Sequence, residues 1–192
     1  LSNPTSLYAK QPTVYYGLMY LAKNAKKEVK IHTPYIICND YMYNELKNIK
    51  VPTTIMTNSA ENNGNIFGAV DYLNHKKDII NTGVTIKEYE GGISYHGKSM
   101  TIDDDIAIVG SFNMDMRSAY IDTELMLVIN SKDINKQLKA SMEEYEKKAA
   151  TVKNETEYSH IPEGMKMKEL SDKKKNIKAW FGWVMNGLRF LF

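Results

Sequence analysis

A chain of 192 residues, 43% hydrophobic and 25% charged, is long enough to bury a core and ordinary for a globular protein. Its net charge of +2 argues neither for nor against a polyanionic partner, and its single cysteine, Cys38, excludes an intrachain disulfide and suggests no cysteine metal site. No signal peptide, uninterrupted transmembrane run, internal repeat or low-complexity tract is visible, and a start at Leu1 rather than Met is expected of a piece excised from a longer protein.

Pro12 suits a first helical position, and Val14, Leu18, Leu21, Ala22 and Ala25 recur at helical spacing, predicting a helix over residues 11–27. Val29 and Ile31 alternate with Lys30 and His32 as in a half-buried strand, which runs out into Thr33-Pro34-Tyr35-Ile36-Ile37. Asp40 is placed to cap a short helix carrying Met42, Leu46 and Ile49. A strand follows over 51–57, then loop chemistry over 59–65, and a helix marked by Phe67, Val70, Leu73 and Ile80 that stops near Gly83. The next strand spans 84–89, and Gly91-Gly92 lets the chain turn. Residues 95–102 and 106–109 read as a hairpin around Asp103-Asp104-Asp105. Residues 123–129 are apolar on both faces, as at the centre of a covered sheet, and 131–152 read as one helix with Ile134, Leu138, Met142 and Tyr145 on a face.

Strands interleaved with helices indicate an α/β fold, a mixed sheet with helices on both faces. The polar stretch 153–162 marks a boundary, giving a main α/β domain over 1–152 and a helical tail over 153–192. In the tail, Ile177, Phe181, Val184, Leu188 and Leu191 form an apolar stripe, with Trp180 and Trp183 beside it. Lys173, Lys174, Lys175 and Lys178 lead into that stripe. It reads as a helix docked on the domain or as an interfacial helix whose lysines meet anionic headgroups. Gly182 and Gly187 weaken the helix on either reading.

The densest chemistry lies between Tyr95 and Glu124. His96 and Lys98, two apart on an extended chain, project from one face. Asp103 follows, then an apolar run into Gly110-Ser111-Phe112-Asn113. The pattern His-x-Lys-x(4)-Asp-x(6)-Gly-Ser-x-Asn resembles the HKD signature of the phospholipase D superfamily. The continuation Asp115-Met116-Arg117-Ser118 and Glu124 looks like the C-terminal HKD half of its bacterial cardiolipin synthase branch. The Thr-Pro-Tyr-Ile after the first strand is also familiar in such half-domains. The resemblance implies a phospholipase D-like α/β/α sandwich.

Metal-free phosphodiester exchange needs an in-line nucleophile, an acid for the leaving oxygen and fixed positive charge for the phosphoryl oxygens. Histidine suits the first two roles, because its ordinary pKa lies near neutrality. One attacks phosphorus to give a phosphohistidine, and a second protonates the leaving alcohol. The resemblance implies that His96 is one of these two, with the acid/base role the commoner one for a C-terminal motif. It further implies that Lys98 and Asn113 hold phosphoryl oxygens, with the Ser111 hydroxyl close by. Glu124, 28 residues beyond His96, stands at the family's spacing for the carboxylate that orients the histidine. Asp103 completes the motif but lies more than ~13 Å from Lys98 along an extended chain, which assigns it structural hydrogen bonds in the turn. Asp103-Asp104-Asp105 lacks the alternating ligands and glycine of a hard-cation loop, and no metal or cofactor is expected.

A lone His-x-Lys on a strand is ordinarily a solvated face; the Gly-Ser-x-Asn in register with it is what sets this one apart. His75-Lys76-Lys77 matches His-x-Lys, but Thr82 stands where the aspartate belongs; His32 and His160 carry no motif. The chain therefore has one motif where the reaction uses two. Either two copies pair as a homodimer, or the second motif lies in an N-terminal half of the same parent chain; the non-Met start favours the latter.

The implied substrate is a phosphatidylglycerol-like phospholipid, with the parent acting at a membrane and making cardiolipin or, with water as acceptor, working as a phospholipase D. The fragment itself is expected to be soluble. The enzymatic rival is a single-motif nuclease, which needs a basic groove with interleaved aromatics; the tyrosines here fall within helix and strand patterns instead. The non-enzymatic rival is a half that is inactive, structural or membrane-docking when isolated.

Overall fold

Val29 and Ile31 point to one side of the first strand, Lys30 and His32 to the other, and that alternation divides the molecule into two layers over one sheet. The computed structural model describes residues 1–2, 11–181 and 189. Helix α1 (Thr13–Lys23) leads into β1 (Val29–His32), β2 (Ile36–Ile37), α2 (Asp40–Lys47), β3 (Thr53–Asn58), α3 (Ile66–Ile80) and β4 (Thr85–Tyr89). The hairpin β5 (Ser99–Ile102) and β6 (Ile106–Gly110) follows, then β7 (Met114–Asp115), α4 (Met116–Tyr120) and β8 (Met126–Asn130). Helix α5 (Lys132–Glu146), β9 (Ala149–Val152), β10 (Tyr158–His160) and α6 (Asp172–Phe181) complete the described chain.

Among the described residues the main sheet has eight strands in the order β10-β9-β4-β3-β1-β5-β6-β8. Its core β1-β3-β4 is parallel, and the flanking strands are antiparallel. Val29, Ile31, Ile55, Ile86, Met100, Ile102 and Ile108 face α1, α2 and α3 and join Leu18, Met42, Leu46, Tyr72 and Ile79 in the main core. On the opposite face Lys30 and His32 reach Glu143 and Glu146 of α5. Helices thus cover both faces of a mixed sheet, as expected. A short parallel ladder, β2 with β7, pairs Ile36 with Met114 and Ile37 with Asp115, drawing two distant stretches together above the sheet.

Several local expectations change. Helix α1 is shorter than residues 11–27, and α2 is capped by Asn39, whose side chain accepts from Met42 N–H at 3.0 Å, rather than by Asp40. His96 and Lys98 lie in the segment just before β5 rather than inside it. Apolar residues on both faces of 123–129 do not mean a central strand. Among the described strands β8 is the outermost, beside β6, with Ser2 bridged to Leu125, and Leu125 and Leu127 are exposed. Residues 131–152 do not form one helix, because α5 ends at Glu146. Ala149 and Ala150, both buried, continue as β9 along the edge of β4; consecutive buried side chains suit a strand covered on both faces, not one helical stripe. The sheet also takes in β10, beyond the boundary expected at 152.

The described part of the tail docks on the body. The Lys174 ammonium is buried and donates to the carbonyls of Ala60 (2.8 Å), Glu61 (2.5 Å) and Asn63 (3.1 Å). Arg189 donates to both carboxylate oxygens of Asp71, at 2.6 and 3.1 Å. Lys173, Lys175 and Lys178 remain exposed. The rest of the predicted stripe, with Val184, Leu188, Leu191, Trp183, Gly182 and Gly187, lies outside the described residues. No described helix is long and apolar enough to cross a membrane.

Candidate active site

The site is assembled by the β5–β6 hairpin. Its register sets Ser99 opposite Val109, and Gly110 N–H donates to the Lys98 carbonyl at 3.2 Å. That bond brings the turn bearing Ser111 and Asn113 beside the segment bearing His96 and Lys98. A glycine is required at the join, since a Cβ on Gly110 would collide with the Leu125 carbonyl and with Met126.

Lys98 Nζ lies 2.7 Å from His96 Nδ1 and donates to the His96 carbonyl at 2.8 Å. Burial, then the neighbouring ammonium, holds the His96 imidazole below its ordinary range. Lys98 is half-buried; burial also lowers its pKa, against the opposing pull of Glu124 and Asp115. These two carboxylates are thus the counter-charges to the site's ammonium. The other imidazole nitrogen, Nε2, meets the Tyr35 hydroxyl at 3.1 Å.

Glu124 does not orient His96 within this chain. Its buried carboxylate accepts from the hydroxyl of Ser111, and from that of Ser118 at 2.9 Å. Ser118 Oγ in turn accepts from Asn113 N–H at 3.2 Å, and Asp115 accepts from Ser118 N–H at 2.6 Å as the cap of α4. Glu124 therefore holds Ser111 directly and Asn113 through Ser118. The carboxylate that the spacing assigned to His96 has the two serines as its partners instead.

Asp103 stands at the far end of β5, outside this cluster. It adopts φ 50° and accepts from Lys26, Lys27 and Glu28 N–H at 2.7–3.2 Å, pinning the β5–β6 turn to the start of β1. Burial opposes ionisation there, and the three backbone donors outweigh it, so the carboxyl sits below its ordinary range. The structural role expected for it agrees with this placement. Among the other histidines, His32 is buried against Glu146, and His75 lies on α3 within 3.1 Å of Asp78.

A groove of about 680 Å³ opens on His96 and Lys98 and runs beside α5. Tyr95, Tyr145, Ile93, Leu138 and Met142 line it, with Lys148 as its second lysine. Sequence reasoning assigned no role to Tyr35 or Ser118. Both lie in stretches whose likeness was visible, Thr-Pro-Tyr-Ile and Asp-Met-Arg-Ser, but nothing in their spacing ties them to His96 or Glu124.

Comparison with known proteins places the chain in a family. The family model described as the phospholipase D-like domain of cardiolipin synthase matches residues 18–145. Cardiolipin synthase 1 of Staphylococcus epidermidis is 31% identical over 157 residues, which is 80% of this chain and 31% of that protein. A Staphylococcus aureus cardiolipin synthase is 32% identical over 127 residues, 65% of this chain and 25% of that protein. The chain thus spans about a third of the length of these relatives or less.

Among solved structures, phosphatidylserine synthase of Haemophilus influenzae superposes with a TM-score of 0.66 at 16% identity, over 91% of this chain and 44% of that one. The phospholipase D family member Nuc of Salmonella typhimurium does so with 0.58 at 15% identity, over 71% of this chain and 89% of that one. At such identities these two matches speak to the fold. The family-model match and the synthase identities go further: the chain belongs to the phospholipase D-like domain family of cardiolipin synthases.

Proposed function

We propose that this chain is one half of a two-motif phosphatidyltransferase that exchanges phosphodiesters through a phosphohistidine. The observation that carries this reading is the placement of His96 and Lys98, 2.7 Å apart at the mouth of a groove, beside the turn bearing Ser111 and Asn113. Lys98 neutralises charge on the phosphoryl oxygens, the Asn113 amide donates a hydrogen bond to them, and Ser111 supplies a hydroxyl next to them. In the first step a histidine nitrogen bonds to phosphorus as the bond to the leaving alcohol breaks. The other histidine gives that alcohol its proton. In the second step water or an incoming alcohol displaces the histidine from phosphorus and surrenders its proton to the same acid/base. His96 is one of the pair, and the other comes from a second HKD half, in the parent chain or in a second copy. The established fold supplies the scaffold, with Asp103 anchoring the hairpin and Glu124 positioning Ser111 and Asn113.

The groove supports a phospholipid over a nucleic acid. Its walls include Ile93, Val109, Leu138 and Met142, and beyond the site its only lining lysine among the described residues is Lys148. A track for a polyanionic strand needs successive basic groups. The exposed Lys173, Lys175 and Lys178 of α6 are placed to meet an anionic membrane surface. The deciding experiment is the solution mass of the chain, paired with turnover of a chromogenic diester and of phosphatidylglycerol vesicles, alone and joined to an N-terminal HKD half. An inert monomer that gains lipid turnover when joined supports the reading. A homodimer cleaving the chromogenic diester and DNA, but not lipid, would replace it with the nuclease.

A further inference from the structure

Tyr35 is fixed in place more firmly than a surface aromatic requires. Three side chains donate to the carbonyl of Pro34, the residue before it: Thr57 at 3.1 Å, Asn58 at 3.0 Å and Asn63 at 3.4 Å. Thr33 Oγ1 donates to the carbonyl of Tyr35 itself at 3.0 Å. The segment carrying His96 is held by the same asparagine. Asn58 Oδ1 accepts from Tyr95 N–H at 2.7 Å, and its Nδ2 donates to the Tyr95 carbonyl at 2.9 Å. Asn58 is 1% exposed, so one buried amide fixes both the backbone that carries the phenol and the backbone that carries the imidazole. Their 3.1 Å contact is set by the scaffold, as in a preorganised site. The β2–β7 register, with Ile36 opposite Met114, also sets Tyr35 level with Asn113.

Lys98 Nζ lies 2.7 Å from His96 Nδ1 and 3.3 Å from Nε2, and an ammonium only donates. The shorter contact assigns the acceptor to Nδ1, which leaves the proton of the neutral ring on Nε2 and the Tyr35 oxygen to receive it. The phenol retains its own proton, because burial and then the Asp115 carboxylate hold it above the ordinary tyrosine range. It is therefore at once an acceptor toward His96 and a donor with a hydrogen to give.

We propose that Tyr35 is a working member of the site: its hydroxyl receives Nε2–H of His96 in the free protein and donates to a phosphoryl oxygen when a phosphate group occupies the site beside Lys98 and Asn113. The inference rests on the phosphodiester reading above. A group bonding to or hydrogen-bonded with Nε2 lies within reach of a hydroxyl 3.1 Å from that nitrogen. No covalent bond at Tyr35 changes; the hydroxyl exchanges one hydrogen-bond partner for another.

The test compares wild-type chain, Tyr35→Phe and Tyr35→Leu by NMR. The His96 ring is followed through a pH titration and through a titration with inorganic phosphate. Removing an acceptor from Nε2–H disfavours the charged ring, so the His96 midpoint in Tyr35→Phe is expected to fall by about half a unit. Phosphate affinity is expected to fall about tenfold, equally in Tyr35→Phe and Tyr35→Leu, because the hydroxyl and not the ring makes the contact. An unchanged midpoint in Tyr35→Phe, or affinity lost in Tyr35→Leu alone, overturns the assignment. Phosphate binding equally well to all three proteins removes Tyr35 and leaves the phosphodiester reading standing. Phosphate that fails to bind even the wild-type chain counts against both.

Discussion

His32 ends β1 and His96 lies just before the neighbouring β5, and the wrong one has the better-looking catalytic pair. His32 Nε2 lies 3.2 Å from the Glu146 carboxylate, with Lys87 at 2.6 Å from the other oxygen and the Tyr95 ring edge-on at 5.6 Å. A carboxylate only accepts, so the ring proton sits on Nε2, and His32 Nδ1 has no partner among the described residues. Yet His32 is 1% exposed, and no substrate reaches it. His96 has no carboxylate, only a lysine and a phenol, but it is exposed at the mouth of a groove. Pairing geometry alone marks a buried strut as readily as a catalyst, and access separates them. The first cluster ties α5 to β1 and β4; the second is left open for a ligand.

The sharpest way to break this comparison is to remove each ring. In the paired enzyme, His96→Ala is expected to lower diester turnover by at least about 10³-fold with little change in unfolding midpoint. His32→Ala is expected to do the reverse, costing about 2 kcal/mol in urea unfolding while turnover per folded molecule stays near wild type. Equal losses of turnover in the two variants would dissolve the distinction.

A smaller effect is expected at Glu124. Glu124→Gln keeps the shape but weakens acceptance from Ser111 and Ser118, so kcat should fall about tenfold in a protein that melts normally. An unchanged kcat would remove its positioning role.

The buried cluster should also declare itself through pH. Burial opposes ionisation of Glu146, but the hydrogen bonds from His32 and Lys87 and the charge of Lys30 outweigh it, taking its pKa from 4.5 down to about 2. Burial likewise holds His32 below its ordinary range. Both are groups whose folded pKa is depressed, so the stability they contribute is present at higher pH and lost on acidification. For His32 the loss begins below about 6.5, and for Glu146 it runs from 4.5 toward 2. Glu146→Gln is expected to flatten the lower limb and to cost about 2 kcal/mol at neutral pH. A wild-type acid limb persisting in that variant would show that other groups produce it.

What the sequence made legible was local. The His-x-Lys segment, the Gly-Ser-x-Asn turn and the Asp103 anchor are fixed offsets along one hairpin, so their spacing is also their geometry. Partners across the fold were not legible. Tyr35 reaches His96 because Asn58, far from both in sequence, binds the two backbones, and Glu124 turns to two serines rather than to the ring that its spacing suggested. Periodicity also reports which residues are apolar, not where an element sits. It cannot tell that β8 is the outermost of the described strands, nor see that Ala149 and Ala150 leave a helix to line the edge of β4. Those outcomes depend on strand order, which is set by the whole chain.

The three-carbonyl seat of Lys174 has a consequence for chemical reactivity. An amine must meet an acylating reagent to react with it, and one enclosed by the carbonyls of Ala60, Glu61 and Asn63 is buried out of reach. Lys173 and Lys175, its immediate neighbours, are exposed. Brief acylation read by peptide mass should therefore mark two of three consecutive lysines and spare the middle one, and the middle one should become labelled once the tail lifts from the loop at 60–63. Tail docking can thus be followed residue by residue, with neither lipid nor turnover required.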